Sequence, residues 1–143
     1  SSGYVVGGNG SAADIIGVLN GIFFNAADTN KPTFSNFYKA TITPANSEDT
    51  TAFVIDDPFQ QYVVAADAAT GVTTFLETYD MNTSAGSDTT GKSSATLDIA
   101  TTSANGKQFR MLRSAEDPEN EDATAVRHSV VVVSNLNSFN GHN

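Results

Sequence analysis

The stretch HSVVVVSN, residues 128–135, holds four consecutive valines, Val130 to Val133. Branching at Cβ leaves valine few rotamers in a helix and suits it to a pleated strand. Successive side chains of a strand point to opposite faces, so an unbroken apolar run needs cover on both. The run therefore predicts a central strand in a sheet. Elsewhere helical periodicity is almost absent, and β-branched and aromatic residues come in short packets bounded by Gly, Asn, Asp, Ser and Pro. The clearest strands are expected over Ile15 to Phe24, Thr51 to Ile55, Gln61 to Ala65, Phe109 to Arg113 and Arg127 to Ser134. Weaker ones are expected over Thr33 to Thr43, Val72 to Tyr79 and Ser94 to Ile99. Gly17 and Gly21, inside the first of these, mark a bulge or a close backbone approach. Between the strands lie long Ser/Thr/Asn-rich loops, above all Asp80 to Thr96. The pattern is all-β: a single-domain jelly roll, β-sandwich or small β-barrel.

A chain of 143 residues suits one domain over 1–143, burying about two-thirds of the surface its unfolded form exposes. No apolar packet approaches the roughly 20 residues of a membrane-spanning helix, so no membrane partner is expected. Seven Lys and Arg against 16 Asp and Glu give a net charge of -9, which repels phosphate backbones and argues against nucleic acid. The densest basic stretch, FRMLR, carries only Arg110 and Arg113. Its alternation places Phe109, Met111 and Arg113 on one face and Arg110 and Leu112 on the other, so neither face is cleanly solvent and one is left for a partner. With no Cys, disulfides, zinc-thiolate sites and thiol catalysis are excluded. The opening SSGYVVGGNG has neither an initiator Met nor a signal-peptide pattern, and a further N-terminal segment is expected to precede it in the full gene product.

No catalytic constellation emerges. His128 opens the valine strand and His142 stands one residue from the end, and neither has a second His at metal-ligand spacing. No serine sits in a nucleophile elbow; Ser11, in GNGSAA, lacks the second flanking Gly. Asp80, Asn82 and Ser84 alternate as calcium-loop ligands do, but Ala85 stands where that loop needs Gly and Gly91 where it needs a bidentate Glu. Asn82-Thr83-Ser84 is a formal glycosylation sequon. The expected inventory is no catalytic residue, no cofactor and no metal. AEDPENED, residues 115–122, packs five acids into eight positions. It reads as a cation site or a docking surface for a basic partner or, more simply, as an exposed loop whose charges keep a strand edge from mispairing.

The adjacent carboxylates of Asp56 and Asp57, in AFVIDDPFQQYVV, are the other candidate. Adjacent strand residues point apart, and Asp-Pro opens turns because Asp caps backbone donors while Pro fixes φ. A turn joining two strands is expected, with Phe53, Ile55, Tyr62 and Val64 supplying buried faces on either side.

The order of landmarks IIGVLNGIFFN, PTFSNFYKATITP, AFVIDDPFQQYVV, DTTGKSSATLD, FRMLRSAEDPEN and RHSVVVV resembles a family of small virion structural proteins of tailed bacteriophages, regarded as capsid decoration, or cement, proteins. The most specific pieces are Asp56-Asp57-Pro58 before an extended strand, Thr89-Thr90-Gly91 before SATLD, and Arg110-x-Leu112 leading to Pro118-x-Asn120. The resemblance implies a non-enzymatic protein on the capsid exterior of the virion that stabilises an icosahedral shell. Its implied partners are the major capsid protein and other copies of itself, as a homo-oligomer. A fibre or adhesin-type binding module is the alternative, although the chain has no Trp to form a sugar-stacking platform.

Overall fold

The valine run forms a strand hydrogen-bonded on both sides, as its composition requires. A computed structural model describes residues 15–39, 41–120 and 122–136. Eight strands appear in order: β1 (Val18–Asn25), β2 (Pro32–Ser35), β3 (Thr51–Ile55), β4 (Gln61–Ala65), β5 (Thr78–Asn82), β6 (Thr96–Ser103), β7 (Phe109–Ser114) and β8 (Ser129–Ser134). Two short 3-10 turns, Ala45–Ser47 and Val72–Thr74, are the only helical elements among the described residues. The strands make two antiparallel sheets, β2-β1-β3 and β4-β8-β7-β5-β6. The fold is all-β, with two antiparallel sheets consistent with the sandwich class.

The larger sheet holds the core. Val130 and Val132 of β8 face inward with Tyr79, Leu97, Phe109 and Met111, while Val131 is buried on the opposite face. Tyr62 meets Phe109 edge-on, with centroids 6.5 Å apart. The sheet curls until its edges touch: Ala66, just past β4, makes a parallel bridge to Leu97 of β6. The Asp67 N–H donates to the Leu97 carbonyl at 3.0 Å, and the Ile99 N–H donates to Asp67 Oδ1 at 3.0 Å. Curling therefore replaces two open edges with hydrogen bonds, one of them borrowed from a side chain. Asp67→Ala should cost about 2 kcal/mol by removing a charge-assisted bond, whereas Asp67→Asn, which still accepts, should cost less; urea unfolding of the two variants checks the ranking.

The smaller sheet is thin. Among the described residues, Ile22 on β1 and Ala45 in the 3-10 turn between β2 and β3 are its only fully buried apolar residues. Gly17 and Gly21 hold its strands at close quarters. A Cβ on Gly17 would lie 2.0 Å from the Ile55 carbonyl oxygen, and one on Gly21 would lie 2.5 Å from the end of the Phe34 ring. A bulge falls between Leu19 and Gly21. Both expectations for these glycines, bulge and close approach, are met.

Several strand boundaries differ from the sequence pattern, each for a local reason. The stretch 33–43 is extended only as far as Ser35, whose Oγ donates to the Phe37 carbonyl and accepts from its N–H, pulling the chain out of the sheet. Over 72–79, Thr74 Oγ1 donates to the Thr70 carbonyl at 2.7 Å and Leu76 takes φ of 71°, so strand geometry begins only at Thr78. The strand expected over 94–99 runs instead from Thr96 to Ser103. β8 starts at Ser129 because Arg127 has φ of 67°. In β7 a bulge between Met111 and Arg113 inserts Leu112. That extra residue turns Arg113 to the exposed outer face, away from Phe109 and Met111.

Candidate interaction surface

The sequence candidates for chemistry resolve into structural roles. Asp57, Pro58, Phe59 and Gln60 form a β-turn in which the Gln60 N–H donates to the Asp57 carbonyl at 3.1 Å and the Phe59 N–H to Asp57 Oδ1 at 2.9 Å. The turn joins two strands as expected, but these belong to different sheets: β3 lies in the small one and β4 in the large one. Asp57, together with desolvation, which is the larger cause, raises the Tyr62 phenol above its ordinary value. Asp117 and Pro118 repeat the same turn, with the Asn120 N–H on the Asp117 carbonyl and the Glu119 N–H on its Oδ1. Asp122 caps a third, accepting from the Thr124 hydroxyl at 2.6 Å and its N–H at 2.9 Å, which holds that carboxyl below the usual range. Glu116 lies 3.8 Å from Arg113. Three of the acids of AEDPENED are thus engaged locally, while Glu121 lies outside the described residues.

His128 is fully buried just before β8. Its Nδ1 lies 3.2 Å from the Ala125 carbonyl, which can only accept, so the proton sits there and Nε2, 2.9 Å from Thr70 Oγ1, accepts from that hydroxyl. The ring pins two loops and is closed to solvent. Asp80 and Asn82 lie on β5, where Asp80 is buried and pairs with Lys107 at 2.8 Å, whereas Ser84 lies in the loop beyond the end of that strand. Arg110 donates to the Leu76 carbonyl and to Oδ1 of Asn105 and Asn135 at 3.1 and 3.2 Å, tying three loops together. Among the described residues no three His, Asp or Glu gather as metal ligands, and no helix is long and apolar enough to cross a membrane. Ser11 and His142 lie outside the described residues.

The feature that the sequence reading missed is an open aromatic face on the small sheet. β1 pairs with both neighbours in a register that sets Phe23 opposite Phe34 and Gly21 opposite Phe53. Residues directly opposite share a face, and so do residues two apart on one strand. Phe23, Phe34 and Phe53 therefore stand together on one side of the sheet, and Ile22 and Ala52 point to the other. The three rings are 40%, 62% and 46% exposed. Phe34 leans across the gap left by Gly21 to reach Phe53, with centroids 6.0 Å apart. Phe53 was expected on a buried face and is not: the small Ala52 faces inward beside Ile22 and leaves its bulky neighbour outside. The alternation of small and aromatic residues in TAFVI and PTFS carries that signal.

The loop carrying Thr89-Thr90-Gly91 supports this sheet. Gly91 has φ of 69°, and a Cβ there would lie 2.4 Å from the Phe37 ring, so the loop after β5 closes on the segment after β2. Gly91→Ala combines left-handed strain with this clash and should cost about 2–4 kcal/mol, read as a lower thermal midpoint with the far-ultraviolet spectrum preserved. No protein-family model, no curated protein and no solved structure matches the chain.

Proposed function

We propose that the protein is a structural component of a bacteriophage virion that decorates and cements the outside of an icosahedral capsid, docking on the major capsid protein through the phenyl face of the small sheet, with neighbouring copies meeting on the shell as a homo-oligomer. The observation that carries this reading is the open face of Phe23, Phe34 and Phe53 on a small sheet where, among the described residues, only Ile22 and the nearby Ala45 are fully buried apolar residues. Taking a phenylalanine side chain as about 200 Å², the rings leave roughly 300 Å² of aromatic surface in water. Covering it is worth up to about 7 kcal/mol per copy before the costs of ordering are subtracted. Repeated over a shell, such contacts stabilise the assembled state by mass action. The order of landmarks along the chain supports the same reading, and so does the acidic balance, which keeps the protein from packaged DNA. The non-enzymatic role is part of the proposal.

The test replaces all three rings by Thr, which keeps strand propensity on an exposed face. The variant should fold, and its affinity for capsids stripped of the protein should fall at least about a hundredfold. Capsids without the protein should lose resistance to heat. Unchanged binding by the folded variant, or unchanged capsid stability, would count against the proposal. A copy number per particle far below that of the major capsid subunit would favour a fibre or adhesin instead.

A further inference from the structure

β3 is hydrogen-bonded to β1 on one side, and among the described residues its other edge pairs with no strand. Open edges invite addition of a further strand, and proteins blunt them with proline, lysine or short length. The opposite edge of the same sheet is blunted in all three ways: β2 has four residues, begins at Pro32, which lacks an N–H, and follows Lys31. β3, reading TAFVI, has neither proline nor lysine, and four of its five residues are β-branched or aromatic.

Charge is divided the same way. Exposed Glu48 and Asp49 precede β3 and exposed Asp56 and Asp57 follow it, whereas Lys31 and Lys39 flank β2. Glu48 accepts from the Asn25 amide and Asp57 from the Phe59 N–H, but no ion pair among the described residues neutralises any of the four acids. A second copy fits this edge poorly. Two β3 strands paired antiparallel about a two-fold axis would set Glu48 and Asp49 of one copy against Asp56 and Asp57 of the other.

We infer that the free edge of β3 takes an extended segment of another protein as an added strand, with apolar side chains at alternate positions and Lys or Arg at both ends. The alternate apolar residues lie beside Phe53 on the phenyl face, and the terminal cations meet the two acidic pairs. This inference rests on the docking reading above and names the chemistry of the partner at that surface.

A peptide of alternating Val and Thr with Lys at both ends, titrated into the isotopically labelled protein, provides the test. Amide shifts should concentrate on Thr51–Ile55, and affinity should weaken about tenfold when the terminal Lys are replaced by Glu or when Asp49→Asn and Asp56→Asn are combined. Binding should also weaken between 50 and 300 mM salt, conditions on either side of physiological screening. The inference is overturned by equal binding of the two peptides, by shifts on β2 instead, by no binding, or by sedimentation showing a dimer with β3 amides protected in the free protein. Because no capsid enters this experiment, its failure is distinct from failure of the shell-binding test, which the rings alone can pass.

Discussion

Gly17→Ala should release the small sheet while the large one stays folded. The new methyl carbon would lie 2.0 Å from the Ile55 carbonyl oxygen and 2.8 Å from its carbon, both backbone atoms that no rotamer change can move. Relief requires separating the start of β1 from the end of β3, where Val18 pairs with Ile55. Overpacking against backbone costs about 3–5 kcal/mol, at the upper end for a single substitution. The small sheet has little to set against this loss, since among the described residues Ile22 and Ala45 are its only fully buried apolar residues. Native-state hydrogen exchange should therefore show the β1 and β3 amides opening far more readily, with those of β8 still exchanging at the rate of global unfolding. Equal acceleration in both sheets would show that they unfold as one unit. If the protein docks on a capsid as proposed, that binding should fall with the phenyl face, because Phe23 and Phe53 lie on the two strands that separate.

The large sheet was legible in the sequence because its core residues are consecutive or alternate within short strands. The valine run, FRMLR and QYVVA mark three of its strands directly, the first as a strand covered on both faces, and FRMLR sets Phe109 and Met111 on one face; which strands pair with which came only from the structure. The bulge at Leu112 was not legible, since one extra residue changes no composition and yet reverses Arg113. The Asp56-Asp57-Pro58 turn was readable as a turn because its chemistry is local, with an Asp oxygen and a proline ring acting within four residues. That it passes between two sheets is a long-range fact. The phenyl face escaped for the same reason: each ring sits in a strand that alternates like a buried one, and only the register across β1 shows three partly exposed rings on one side of the sheet. The small residue facing inward at Ala52 and the gap left on the aromatic side at Gly21 were the available clues.

Leu97→Ala should have the opposite reach, destabilising the whole protein. Leu97 is completely buried among the core side chains, and its backbone is where the curled sheet closes on Ala66 and Asp67. Truncation leaves a cavity that a closed sheet can collapse only partly, because β6 is held on one side by β5 and on the other by the bridge to the end of β4. The expected cost is about 3–4 kcal/mol, a large part of the stability of a domain of this size. The small sheet is attached through this core: Ile15, three residues before β1, packs against it, and its N–H donates to the Leu136 carbonyl beyond β8. Loosening the core should therefore speed exchange in β1 and β3 as well as in β5 to β8, whereas Gly17→Ala acts on β1 and β3 alone. Urea unfolding should show a lower midpoint for Leu97→Ala with little change in slope, since the surface exposed on unfolding is nearly the same. The asymmetry between the two variants is what a protein needs if a folded barrel-like body is to carry a thin sheet that gains its full burial only on a partner.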